Sequence, residues 1–226
     1  MREELSKYVG TCERPRLLSV KERRQRNRDE MVTAILATAR TMMREQGVGA
    51  LSLNEVARRV GIRGPSLYEY FPSKTAVYDA LFRLGTRLAT GETERIREQY
   101  PPDWSRVEAW LTAFLAFAVA NPDLYQLTFE RPVPGFVPSV ESREESARLT
   151  VVSHGAMQEI IDAGVIRGDI PFTPLFDFFI LVLHGLMSTH MANEPQRPAG
   201  SGRFGSLVPM ALSVLQAAWS ADSTEQ

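Results

Sequence analysis

The chain has 226 residues, 44% of them hydrophobic and 23% charged, with a formal net charge of −1, the balance of an ordinary folded protein, which excludes disorder and fibrous repeats. Its single cysteine, Cys12, excludes an intrachain disulfide, and the opening MREELSKYVG has no apolar run of a signal peptide, so the expected address is the cytoplasm. The near-neutral total hides a split: residues 1–80 hold 15 Lys or Arg against 10 Asp or Glu, and the remainder holds 11 against 17, which puts local positive charge, the requirement for phosphate binding, at the front.

Residues 1–25 are polar and basic without a sustained period, and predict a flexible arm ending in the run KERRQRNR. Arg24, Arg26 and Arg28 suit a phosphate track or the minor groove, or equally a solvated tail. From Val32 the apolar residues recur at Ile35, Leu36, Ala39, Met42 and Met43, the spacing of one helical face, up to Gly47, which suits a left-handed C-cap. Ser52 stands three residues before Glu55, a capping-box arrangement, and opens a short helix from Leu53 to Val60 that stops at Gly61. Pro65, accepted in the first turn of a helix, opens a second short helix reaching Phe71, and Pro72 ends it. Ser73 caps a long helix from Lys74 towards Gln99.

Beyond Pro101-Pro102, helices are predicted near 103–120, 122–130, 138–163, 173–192 and 204–219, separated by proline- and glycine-bearing breaks. The apolar stretch from Phe172 to Met191 is interrupted by Pro174, Asp177, His184 and His190, which suits a buried helix better than a membrane span, so no membrane partner is expected. The expected fold is all-α: a three-helix helix-turn-helix domain over 26–85, joined by a long helix to a C-terminal helical domain over 86–226.

Two short helices joined by Gly61-Ile62-Arg63-Gly64 outline a helix-turn-helix, in which one helix crosses the DNA backbone so that the next can enter the major groove. Leu67 and Phe71, one turn apart, should enter a small core with Val56, Val60 and Ile62. Ser66, Glu69 and Tyr70 are then left outward, with Gly64 and Pro65 at the leading end, where a recognition helix reaches base edges. Ser66, Tyr68 and Lys74 supply hydroxyls and an ammonium for phosphates beside the groove.

The run Ser52-Leu53-Asn54-Glu55-Val56-Ala57 through Gly61-Ile62-Arg63-Gly64-Pro65-Ser66-Leu67-Tyr68-Glu69-Tyr70-Phe71-Pro72-Ser73-Lys74 resembles the DNA-binding domain of the tetracycline-repressor (TetR) family. The resemblance spans residues 28 to 85. It implies an all-helical homodimer that binds a palindromic operator on double-stranded DNA and releases it when a small-molecule effector enters the C-terminal domain. It further implies that Ser52 and Asn54 meet the backbone or a base edge, that Gly64, Pro65, Ser66, Glu69 and Tyr70 form the recognition surface, and that Tyr68 and Lys74 clamp phosphates. The chain departs from the family pattern twice. Arg63 stands where a Ser or Thr cap is frequent and offers a phosphate or guanine contact. Glu69 stands where a basic residue or histidine is common, and either accepts from cytosine N4 or points away.

Ala120-Asn121-Pro122-Asp123-Leu124-Tyr125, Arg131-Pro132-Val133-Pro134-Gly135-Phe136 and His184-Gly185 resemble a TetR subgroup with a C-terminal Trp-His-Gly element, here with Leu183 in place of the tryptophan. The aromatic content is too large for a linker; Trp110, Phe114, Phe117, Tyr125, Phe129, Phe179 and His184 are expected to line a ligand pocket. The last two long helices have apolar faces suited to a four-helix dimer interface, or else to closing the monomer's own core. His184 and His190 lie about 240° apart around a helix and cannot chelate one metal. Ser153-His154 diverge as helical neighbours, and no nucleophile elbow, phosphate loop or dinucleotide fingerprint is present. Catalytic residues, metals and cofactors are therefore not expected. Two other classes stand beside the ligand-responsive repressor. A constitutive or architectural DNA-binding protein would have a filled core, with no cavity above about 300 Å³; an all-helical enzyme would need titratable groups clustered in a pocket.

Overall fold

The computed structural model describes residues 19–221. Among the described residues ten α-helices follow one another: α1 (Val20–Gln46), α2 (Leu53–Val60), α3 (Gly64–Tyr68), α4 (Lys74–Gln99), α5 (Trp104–Ala120), α6 (Pro122–Tyr125), α7 (Val140–Asp162), α8 (Phe172–Asn193), α9 (Gly202–Gly205) and α10 (Val208–Trp219). Among the described residues the only β pairing is one bridge, Ile166 with Ser220. The chain is all-α.

The flexible arm expected over 1–25 is corrected for its last residues, and residues 1–18 lie outside the described ones. Helix α1 starts at Val20 because Ser19 and Glu22 form a full capping box: the Ser19 hydroxyl accepts from the Glu22 amide and the Glu22 carboxylate from the Ser19 amide. The basic run is thus the exposed first half of a 27-residue helix. At Ser52 the reverse holds, and the expected box does not form. Glu55 turns instead to Arg58 and Arg59, at 2.6 and 2.9 Å, because charge-assisted bonds one turn along the helix outcompete a neutral amide. Those guanidiniums, Arg58 first, hold the Glu55 carboxyl down to about 2.

Two apolar cores share α4. The first packs Ile35, Ala39 and Met42 of α1 against Val56, Leu67, Phe71, Val77 and Leu81. The second packs Trp110, Leu111 and Leu115 of α5 against Met157, Ile160, Leu175, Phe179, Met187 and Leu215. Leu124 and Leu127, far downstream in sequence, belong to the first core, so the chain crosses the expected division near residue 85 more than once.

Helix α6 continues into a π-helical turn, Gln126–Glu130, rather than a uniform helix over 122–130. It lies so close to α4 that a Cβ on Gly85 would sit 2.3 Å from Thr128 Oγ1; only glycine fits there. Thr86, Thr90 and Thr93 continue that small-residue face, each donating its hydroxyl to the carbonyl four residues back, so that burial leaves no donor unpaired. Arg106, 3% exposed, ties α4, α5 and α7 together by donating to the Tyr100 and Ala156 carbonyls and to Glu159.

Candidate DNA-facing surface and effector cavity

Gly61, at φ 82°, ends α2 in the left-handed region, which glycine enters without steric cost; this sharp turn swings the chain into α3. Leu67 is fully buried against Val56, and Phe71 is 7% exposed, so α3 is fixed from one side only. Helix α3 stops at Tyr68, short of the expected Phe71. Glu69 and Tyr70 occupy the hydrogen-bonded turn that follows, their amides donating to the Ser66 and Leu67 carbonyls.

Arg63, Pro65, Tyr68 and Glu69 are exposed, and Gly64 and Ser66 are half-buried. Tyr70 is corrected from an outward to a half-buried position: it packs against the first core, with the Arg28 guanidinium 5.2 Å above its ring. Arg28 also donates to the Glu69 carbonyl at 3.3 Å, so it belongs to the packing of α1 on the helix-turn-helix rather than to an arm. Arg24 and Arg26 lie on the exposed face of α1, the latter 3.4 Å from Glu30.

An open groove gathers Ser52 and Asn54 of α2 with Tyr68, Ser73 and Lys74. A Cβ on Gly64 would meet Asn54 Oδ1 at 3.6 Å, so α2 and the start of α3 present one continuous polar edge. Lys74 is already engaged: its ammonium donates to the Gly49 carbonyl at 3.0 Å and lies over the Tyr78 ring at 5.5 Å. Two donors of the ammonium are left for another acceptor.

A cavity of about 330 Å³ opens between α4, α5, α7 and α8. Trp110, Phe114, Phe129, Phe179 and His184 line it, whereas Phe117 and Tyr125 do not. Phe117 packs beside Phe114 at 6.5 Å. Tyr125 is 1% exposed, behind the wall formed by Phe129 and His184. Sequence reasoning missed Thr93, Leu149, Ser153, His154, Phe176 and Leu183. A signal existed: Leu149 and Ser153 stand four apart on α7, one turn of the same face.

His184 stacks near Tyr125 and tilts against Phe129, and burial pushes its imidazole below its ordinary value. An unfolded chain therefore takes up a proton near pH 6.5 that the folded chain resists. The stability this group contributes is complete above that value and is lost as the pH falls below it, by at most about 1.4 kcal/mol per pH unit. Carboxylates, which titrate near 4, act in a lower window. Urea unfolding across this range should show a slope that His184→Phe flattens; an unchanged slope would remove His184 as its source.

Between groove and cavity lies one buried charge. The Asp123 side chain is 0% exposed and accepts from Arg40 and Arg44 of α1, each at 2.7 Å, with Asn121 accepting from Arg40 as well. Six residues on, Phe129 forms cavity wall. A short segment thus touches both α1 and the cavity.

On the outer face, α8 and α10 expose Phe178, Leu181, Met210 and Val214, around a shallow apolar groove that includes Val182, Leu186 and Leu207. Helix α8 is long and apolar enough to cross a bilayer by length and composition, but its other face carries Leu175, Phe179, Leu183 and Met187 into the second core. His190 is fully buried there, its Nε2 3.2 Å from the Arg197 carbonyl.

Helical throughout, with a helix-turn-helix at one end and a largely apolar cavity at the other, the chain has the architecture of a helix-turn-helix regulatory protein. Bacterial regulatory proteins of the tetR family match it over residues 35–81, and the tetracyclin repressor-like C-terminal domain matches over 107–204; the chain belongs to this family. It is 29% identical over 153 residues to the HTH-type transcriptional regulator Rv1816 of Mycobacterium tuberculosis, a match covering 67% of this chain and 64% of that relative's length. It is 33% identical over 89 residues to the HTH-type transcriptional regulator EthR of the same organism, covering 39% of this chain and 41% of EthR. Among solved structures, a protein of unknown function from Rhodococcus sp. RHA1 superposes with a TM-score of 0.69 at 23% identity, over 84% of this chain and 95% of that one.

Proposed function

We propose that this protein is a cytoplasmic, non-enzymatic transcriptional repressor that binds a palindromic operator as a homodimer and releases it when a small molecule fills the C-terminal cavity. Arg63, Gly64, Pro65, Ser66 and Glu69 face the bases; Ser52, Asn54, Tyr68 and Lys74 hold the backbone. Arg24 and Arg26 lie along α1 towards flanking phosphates. The exposed apolar faces of α8 and α10 meet their two-fold copies, setting two recognition helices one turn of DNA, or a multiple, apart. The Leu183-His184-Gly185 stretch, whose Leu183 and His184 border the cavity, stands in for the Trp-His-Gly element of the subgroup.

The observation that carries this reading is the segment 121–130, which is ion-paired to α1 at Asp123 and reaches the cavity at Phe129. A ligand that displaces Phe129 acts on the same short segment that α1 grips. Release requires that the ligand favour the DNA-incompetent arrangement by about 1–3 kcal/mol. The cavity, at about 330 Å³, exceeds the roughly 300 Å³ below which a constitutive DNA-binding protein is the better reading. Selection from random duplex DNA tests the proposal. A two-fold symmetric site should be enriched, with a dissociation constant of about 10⁻⁸ M or tighter; enrichment of no palindrome would end it.

A further inference from the structure

The lining of the cavity also states what kind of molecule it can hold, an inference that rests on the cavity being the effector site. Five aromatic rings, those of Trp110, Phe114, Phe129, Phe176 and Phe179, join Leu149, Ile180 and Leu183 to make the wall mostly apolar, and no lysine or arginine borders it. The one carboxylate, Asp177, sits on the exposed side of α8. A carboxylate or phosphate brought inside would lose its water without gaining a counter-charge, which costs several kcal/mol. An ammonium would be little better served, because a carboxylate in water is screened and weak.

The other polar side chains on the wall carry hydrogen-bonding groups: the Ser153, Thr93 and Thr150 hydroxyls and the His154 and His184 imidazoles. Thr93 has spent its donor on the Ala89 carbonyl and keeps only acceptor capacity. Of the three histidines, only His190, away from the cavity, has a hydrogen-bond partner among the described residues. His154 is held edge-on to Phe176 at 4.4 Å and to Phe172 at 5.1 Å; Tyr125 and Phe129 flank His184. Each ring is positioned by aromatic packing while its nitrogens lack a protein partner. A neutral imidazole donates from one nitrogen and accepts at the other, which matches a hydroxyl or carbonyl.

We infer that the effector is an uncharged, largely apolar, ring-bearing molecule with one or two hydroxyl or carbonyl groups, and that its ionised counterparts are excluded. A volume of about 330 Å³ lies at the small end of ligand pockets, room for about two or three fused rings.

The test is calorimetric titration of the full chain with three probes of one shape: 2-naphthol, 2-naphthoate and 2-naphthylmethylammonium. The neutral naphthol is expected to bind at least about tenfold tighter than either ion. No binding of naphthol, or an ion bound as tightly, would overturn the inference. Two variants tie the effect to this cavity. Leu149→Trp fills it and should weaken naphthol at least about tenfold. Ser153→Lys supplies the missing cation and should strengthen naphthoate by a similar factor; a Ser153→Lys chain that melts like the parent yet still refuses naphthoate counts against the inference. DNA selection on the same protein separates the two failures. A chain that selects a palindrome but prefers naphthoate fails only here, and one that binds naphthol but selects no DNA fails only as a repressor.

Discussion

Replacing Asp123 with alanine is expected to lower the free energy of unfolding by about 2–3 kcal/mol. The carboxylate is fully buried and answers two guanidiniums at 2.7 Å. Its removal strands Arg40, which is 21% exposed, more than Arg44, which is 43% exposed; both recover some hydration, so the effect falls at or below the roughly 3 kcal/mol that begins the range for a broken buried pair. Asp123→Asn keeps the volume and one acceptor, and should lose about half as much. The damage should be local. Amide exchange in α1 should accelerate, because α1 is what the pair holds, while α5 and α8 in the second core stay protected. Equal acceleration everywhere would show that Asp123 supports the whole fold and not the junction between α1 and segment 121–130.

Truncating Tyr68 and Lys74 together is expected to weaken operator binding roughly 100-fold without changing the selected sequence, since backbone contacts position the protein and base contacts specify. The two residues separate cleanly. Tyr68 is 50% exposed, so Tyr68→Ala should leave stability within about 0.5 kcal/mol of the parent and, being uncharged, leave the salt dependence unaltered. Lys74→Ala removes one cation per subunit and should flatten the slope of log K against log salt by about two per dimer. It also leaves the Gly49 carbonyl, which accepts from the ammonium at 3.0 Å, without that partner, and should cost about 1 kcal/mol of stability. A Lys74→Ala protein that loses stability but keeps its salt slope would make Lys74 a strut between the α1–α2 connection and α4, and not a phosphate contact.

The helices were legible wherever local chemistry decided them. Helices α2 and α4 lie where Leu53, Gly61, Ser73 and Lys74 placed their ends, because caps and left-handed glycines act over three or four residues. The start of α1 was equally local, written in Ser19 and Glu22, and was overlooked because the basic run after it has no apolar face to give a period. At Ser52 the same pattern misled, since the pairing of Glu55 with Arg58 and Arg59 competes with the cap and the motif is silent about competitors.

What the sequence determined by itself is therefore the all-helical fold and the helix-turn-helix with its Leu67 and Phe71 anchors, both set by periodicity and spacing along the chain, while the family was legible as a resemblance carried by the run from Ser52 to Lys74. Tertiary structure alone decided which aromatic residues border the cavity, leaving Phe117 and Tyr125 behind the wall while bringing Leu149, Ser153 and His154 onto it. It also decided that Arg40 and Arg44 meet Asp123 some eighty residues away. Burial and charge pairing at that separation depend on how helices pack, and a helix's own sequence specifies which face is apolar but not which neighbour will cover it.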